Sequence, residues 1–246
     1  MAILDLVAEA DEPLRFTEIL AKSGQPRGTL HRQLSHLVEE GLLDLRRDMT
    51  YAPGLRLLSL AARSWARNDF RSIAEPHLRA LHDMTGETVH LGALRGNTIV
   101  YVDKVEGRQS AVRMYSQIGN ASPLYCTGIG KAALSAMKDA PLSELVRQID
   151  FHPFTEATHA DASSLLADIA VIRKRGHAFD LEEHESGISC VAAAIASDDL
   201  SFIGGVSVTG PAYRVKKSDL EVWAPLVRDA AVGIMRDMNV RLGPRR

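Results

Sequence analysis

The run Thr17-Glu18-Ile19-Leu20-Ala21-Lys22-Ser23-Gly24-Gln25-Pro26-Arg27-Gly28-Thr29-Leu30-His31-Arg32-Gln33-Leu34-Ser35-His36-Leu37-Val38-Glu39-Glu40-Gly41 decides how this chain is read. Thr17 stands where a helix N-cap belongs, and the short helix after it stops at Ser23-Gly24. Pro26 restarts the chain, because proline suits a first helical turn and not an interior. From about Arg27 to Glu40, Leu30, Leu34, Leu37 and Val38 fall on one stripe, and Gly41 is placed to end the helix in a left-handed conformation. The opposite face carries Gly28, Arg32, Ser35, His36 and Glu39, with Thr29, His31 and Gln33 on its flanks and no acid in its N-terminal half. A short helix, a tight turn and a longer helix make a helix-turn-helix, whose second helix enters the DNA major groove by its N-terminal half. Arg27, Thr29, His31 and Arg32 are the expected groove contacts. Arg32 suits guanine edges, and Thr29, Ser35 and the first backbone amides suit phosphates.

The neighbours of this run extend the pattern. Leu42–Leu45 and Tyr51–Pro53 flank the polar tip Arg46-Arg47-Asp48-Met49-Thr50, which predicts a winged hairpin whose arginines meet phosphates or a minor groove. Upstream, Ile3, Leu4, Leu6, Val7 and Ala10 repeat at helical spacing over residues 1–10, and Asp11-Glu12-Pro13 breaks the pattern. That helical pattern begins abruptly, as in a chain missing a short leader. Downstream, Leu55, Leu57, Leu58, Leu60, Ala61 and Ala62 open a helix free of Gly and Pro. It reads as a rigid linker over 55–69, of a kind that commonly pairs with a second copy to make a homodimer, the alternative being packing within one chain.

Composition narrows the classes. The 246 residues are 46% hydrophobic and 24% charged, close to the average for soluble globular proteins, which excludes a disordered or collagen-like chain. The longest apolar run, Cys190–Ala196, is far short of the ~20 residues of a membrane span, and the first ten residues lack the basic start of a signal peptide. Two cysteines give no bridge framework and suit a reducing cytoplasm. Net charge is −2, yet residues 13–37 hold Arg15, Lys22, Arg27 and Arg32 against Glu18, four bases to one acid. Scattered surface arginines would explain the bases alone; turn, stripe and wing together decide for double-stranded DNA as partner.

The rest of the chain mixes helices and strands. A helix over 70–85 carries Ile73, Leu78, Leu81 and Met84 inward and stops at Gly86. Thr88–Arg95 and Thr98–Asp103 flank Gly96-Asn97, a hairpin signal, and a third strand is expected near Ala111–Tyr115. Helices are expected at 129–137, 141–149 and 161–175, strands at 177–180, 190–196 and 202–209, and a last helix from Asp219 to about Val240. Helices around an antiparallel sheet make an α+β domain over 70–246, behind a winged helix-turn-helix domain over 1–54.

In this arrangement the chain resembles the IclR family of transcriptional regulators along essentially its whole length. Gln25–Arg32, Leu37–Leu42, Cys126–Ala132, Arg175–Glu183, Gly187–Ala193 and Val206–Pro211 carry the resemblance in the right order. It implies a winged-helix DNA-binding domain, a linker helix and a GAF-like domain that binds a small effector. It also implies homodimers or dimers of dimers that often repress a catabolic operon until an organic acid or related metabolite binds, with an activator of the same family as the alternative. By position, family effector contacts fall on Gly128, Ile129, Asp180, Cys190, Ser207 and Thr209, with Ile188 as an apolar neighbour. Amides at a helix start hold a carboxylate or carbonyl oxygen, and Ser207 and Thr209, two apart on a strand, face one side. Such a lining suits a hydroxy acid, oxo acid or semialdehyde. The chain departs from the family in lacking residues ahead of the first helix, and in Gly28, Ala194 and Thr209, where a hydroxyl residue, proline and serine are common.

An enzyme is the rival reading. Thr127-Gly128-Ile129-Gly130-Lys131-Ala132 has the wrong glycine spacing for a phosphate loop, and Ala132 replaces the metal-binding hydroxyl. Cys126 or Cys190 with His184 and Asp180 imitates a nucleophile, base and orienter, but Cys190 lies in an apolar run. His152, His159, His177 and His184 have no tight ligand spacing, so no metal and no cofactor are expected. A helix-turn-helix serving only protein contacts would lack the steep salt dependence of a DNA binder.

Overall fold

The computed structural model describes residues 1–108 and 116–242. It divides into two compact units, Met1–Asn68 and Asp69–Arg246.

In the first unit, α1 (Ala2–Ala8), α2 (Phe16–Ser23) and α3 (Arg27–Glu39) precede a three-stranded antiparallel sheet of order β1-β3-β2, with β1 at Leu14–Arg15, β2 at Leu43–Leu45 and β3 at Thr50–Pro53. Ile3, Leu4, Val7, Leu14, Ile19, Leu30, Leu34 and Leu43 form its core, so the apolar stripes read from the sequence all turn inward. Three details differ from expectation. α1 ends at Ala8 rather than residue 10. The cap of α2 is Arg15, not Thr17: the Arg15 amide donates to the Glu18 carboxylate at 2.6 Å. The pairing Leu14↔Tyr51 and Arg15↔Thr50 makes β1, a strand too short to leave a periodic signal. Gly41 is left-handed as expected (φ 65). Gly54 is required by close approach, since a Cβ there would lie 2.2 Å from the Gly41 carbonyl oxygen. α4 (Leu55–Ala66) follows with no buried residue, leaving Leu55 and Leu58 exposed.

In the second unit, α5 (Asp69–Thr85) leads into β4 (Thr88–Arg95) and β5 (Thr98–Val105). β6 (Ala121–Pro123), α6 (Gly128–Ala136), α7 (Asp139–Arg147), α8 (Ala162–Arg175), β7 (Ala178–Leu181), β8 (Ile188–Ala196), β9 (Ile203–Pro211) and α9 (Lys217–Leu242) complete it. Among the described residues the sheet is antiparallel, of order β6-β5-β4-β9-β8-β7. The strand expected near Ala111–Tyr115 lies outside the described residues, and β6 was not foreseen. Met84, expected inward, is exposed on α5.

Strand alternation divides the unit into two cores. Val89, Leu91, Ala93, Phe179, Val191, Ala193, Val206 and Val208 pack with residues of α5 and α9. Their odd–even partners face the other way, where Ala178 and Ala192 join residues of α6, α7 and α8. The polar residues His90, Asp180, Ser207 and Thr209 occupy that second register, and all are buried.

Candidate functional site: a recognition helix and a buried polar cavity

The first unit presents α3 with Arg27, His31 and Arg32 exposed and Thr29 and Ser35 half-buried, while Leu30 and Leu34 anchor the other side. Arg27 has its guanidinium 5.2 Å from the centre of the Phe16 ring, and His31 packs 6.3 Å from the same ring. Phe16 thus holds two of the expected groove residues, a role the sequence reading missed. Its signal was an aromatic at the very start of α2. Arg46 and Arg47 sit exposed at the tip between β2 and β3. That tip is closed by the Arg46 amide on the Thr50 carbonyl (2.8 Å) and by Asp48, which accepts from the Thr50 amide and hydroxyl. No salt bridge holds Arg27, Arg32 or Arg47 among the described residues, and the Arg46 charge is felt by Asp48 beside it, so the tip and the helix offer cations to a polyanion.

In the second unit, Gly128, Ile129, Asp180, Ile188, Cys190, Ser207 and Thr209 all line one cavity of about 50 Å³. Register explains the gathering. Asp180 on β7 pairs with Cys190 on β8, and Cys190 pairs with Thr209 on β9. Ser207 pairs with His90 on β4. The start of α6 covers this row of side chains. Thr127 caps α6, its Oγ1 accepting from the Gly130 amide at 3.1 Å and donating to the Pro123 carbonyl at 2.7 Å. The preceding helical amide, on Ile129, has no acceptor within the helix and carries the positive end of its dipole. Gly128 must be glycine here, because a Cβ would lie 2.5 Å from Cys190 Sγ.

Asp180 is the buried carboxylate of this cavity. Its Oδ1 accepts from the Glu183 amide at 2.8 Å. Burial, reinforced by the Glu183 charge, pushes its pKa up to about 7; the Glu183 and His184 amides and the Lys131 ammonium pull the other way. Near neutral pH it can therefore accept from a ligand hydroxyl or, protonated, donate to a ligand oxygen. Burial pushes both the Cys126 and Cys190 thiols far above their usual range, so neither is an activated nucleophile. His184 lines the same cavity and packs on Phe154 at 4.8 Å. His90, Tyr101, Ser116 and Ser122 line it too. Of these, His90 was legible: it lies two residues from Thr88 and Gly92 on one side of a strand that alternates Val89, Leu91 and Ala93 on the other.

Lys131, the lysine of the phosphate-loop-like run, is fully buried. Its Nζ donates to Glu183 at 2.5 and 2.6 Å and to Asp168 at 2.8 Å. His159, Asp168 and Glu183 bring ligand atoms within 4.8 Å of one another, a spacing a metal could use. The Lys131 ammonium already sits on both carboxylates, and supplies the positive charge that an ion would bring. His152 and His177 take no part in that group.

Residues 62–236 match the family described as "Bacterial transcriptional regulator IclR C-terminal", and residues 1–47 match the "IclR helix-turn-helix domain". The chain belongs to the IclR family. This IclR-family chain is a ligand-responsive DNA-binding transcriptional regulator and not an enzyme. It is 32% identical to the HTH-type transcriptional regulator XynR of Escherichia coli K12 across 97% of this chain and 95% of XynR. It is 34% identical to the E. coli K12 HTH-type transcriptional repressor AllR across 77% of this chain and 68% of AllR. The crystal structure of Thermotoga maritima IclR covers 99% of this IclR-family chain and 96% of its own, with a TM-score of 0.73 and 32% identity. No helix among the described residues is long and apolar enough to cross a membrane.

Proposed function

We propose that this regulator is a repressor released by a small hydroxy acid, oxo acid or semialdehyde bound between the start of α6 and the β7-β8-β9 row. The observation that carries the reading is the single cavity shared by Gly128, Ile129, Asp180, Ile188, Cys190, Ser207 and Thr209. A carboxylate or carbonyl oxygen of the effector meets the helix-start amides. Asp180 takes a hydroxyl or a hydrated carbonyl, and Ile188 packs on the carbon chain. At about 10–15 Å³ for each water-sized group, a cavity of about 50 Å³ suits a compound of few heavy atoms. Arg27, Thr29, His31 and Arg32 enter the major groove, Ser35 holds a phosphate, and Arg46 and Arg47 follow the backbone. Homo-oligomers present these helices in pairs, with α4 as the contact between copies. Repression is supported by a relative named as a repressor. Effector and operator affinities are reciprocally coupled.

The test is a gel-shift titration on the DNA upstream of its own gene, with and without a panel of oxo acids, hydroxy acids, semialdehydes and aromatic acids. Specific binding released by a small acid or semialdehyde is the expected result. Release by aromatic acids alone would reject the ligand class. Arg32→Ala should weaken operator binding by about 1–3 kcal/mol, and unchanged binding would remove Arg32 from the groove. Asp180→Ala combined with Ser207→Ala should lose the response and keep DNA binding.

A further inference from the structure

His90 enters the effector cavity from β4, on the same register as Ser207, and only 2% of it is exposed. Three hydroxyl groups surround its ring. Ser116 Oγ lies 2.7 Å from Nε2, Thr209 Oγ1 lies 3.2 Å from Nδ1, and Ser207 Oγ lies 3.5 Å from the same nitrogen. Ser116 is itself fixed, because Lys104 Nζ donates to its carbonyl oxygen at 3.0 Å. Behind the imidazole stands the Tyr101 ring at 5.2 Å.

Two consequences follow from this packing. First, the imidazole is uncharged. Burial, with the Lys104 charge adding to it, lowers its pKa to about 3, and every hydrogen-bond partner is a neutral hydroxyl. A neutral ring has one donor nitrogen and one acceptor nitrogen, so Ser116–His90–Thr209 forms a chain that runs in either direction as the ring changes tautomer. Second, the ring takes up space that the cavity would otherwise have, against a rigid wall. His90 and Cys190 both line the cavity from the sheet, Cys190 opposite Gly128 at the start of α6.

We infer that His90 is the specificity-determining residue of the effector site: it limits the length of the effector chain and orients the Ser207 and Thr209 hydroxyls that meet it. This rests on the effector reading of the cavity proposed above. A short effector seated between the start of α6 and Asp180 leaves the ring where it is. A longer chain directed at the sheet meets the imidazole, and one methylene too many against that ring lowers affinity by about tenfold or more. The hydroxyl pair shares His90 Nδ1, so removing the ring both enlarges the cavity and frees the hydroxyls to turn.

The experiment uses the full chain and isothermal titration with straight-chain 2-oxo acids and 2-hydroxy acids of two to six carbons. Operator binding without effector serves as the check on folding. Wild type should bind the shortest acids best and weaken by about tenfold or more as the chain lengthens. His90→Ala should move the optimum to longer acids and weaken the shortest by about tenfold, with effector-free operator binding unchanged. Where His90→Ala fails to bind the operator, His90→Asn and His90→Gln carry the same comparison, since they differ by one methylene: the Asn variant must admit a longer acid than the Gln variant. A length profile identical to wild type in the variants that bind DNA overturns the role given to His90. Failure of wild type to bind any acid of the series overturns instead the effector reading beneath it, and the two failures are told apart by the wild-type titration alone.

Discussion

Replacing Asp180 by Asn should make the effector-free protein more stable, and by an amount that grows with pH. The carboxylate is 6% exposed, and burial with the Glu183 charge lifts its pKa from 3.8 to about 7. Its roles in the fold, accepting from the Glu183 amide at 2.8 Å and from the His184 amide, are ones that an Asn side-chain oxygen can keep. The sign follows from linkage. Between pH 3.8 and about 7 the unfolded chain has released a proton that the folded chain still holds, so stability falls as pH rises through this window and is lowest above it. At ~1.4 kcal/mol for each pH unit, the window corresponds to a ceiling of roughly 4 kcal/mol. For a domain of 150–250 residues each kcal/mol moves Tm by roughly 2–4 °C. Thermal and urea unfolding of wild type and Asp180→Asn should therefore agree closely near pH 4 and diverge by several degrees at pH 8, with the variant higher. A variant that is less stable at pH 8, or displaced equally at both pH values, would refute the reasoning. A stabilised protein with a weakened effector response would mark Asp180 as a group retained for binding at the expense of the fold.

Arg46→Ala and Arg47→Ala should each weaken DNA binding about equally on any sequence and lower the slope of log affinity against log salt by roughly one, measured by anisotropy across salt concentrations. Lys131→Met strips the ammonium from Glu183 and Asp168, and should cost about 3–5 kcal/mol in chemical denaturation, since the two acids then face each other with only His159 beside both and Arg175 beside Asp168. Cys126 and Cys190 should react slowly with iodoacetamide at neutral pH in the folded protein and quickly in urea, because burial holds both as thiols. Fast labelling of either in the native state would reopen a nucleophilic role.

Much of this architecture was legible because it rests on strong local periods. The Leu30–Leu34 stripe, the left-handed Gly41 and the Gly96-Asn97 turn each have one local solution, and the structure adopts it. Ser207 and Thr209 were readable as partners because strand alternation needs no knowledge of the neighbours. What the sequence did not yield depends on pairing across distance. β1 is a strand only because Leu14 meets Tyr51. Arg15 displaces Thr17 as the α2 cap because that pairing fixes the backbone ahead of the helix. Lys131 gives no hint in its own stretch that Asp168, 37 residues on, and Glu183, 52 residues on, will meet it. The side His90 faces was legible from alternation, but its meeting with Ser207 and Thr209, 117 and 119 residues away, was not.

The alternation of β4, β8 and β9 has an evolutionary consequence. Each strand devotes one set of residues to the apolar layer against α5 and α9, and the intervening set to the cavity. Substitutions at His90, Cys190, Ser207 or Thr209 therefore leave Val89, Val191, Val206 and Val208 in place, and the layer beneath them keeps its packing. Lineages of such regulators can exchange one inducer for another by drifting along alternate positions, while the intervening valines preserve a working scaffold throughout the transition.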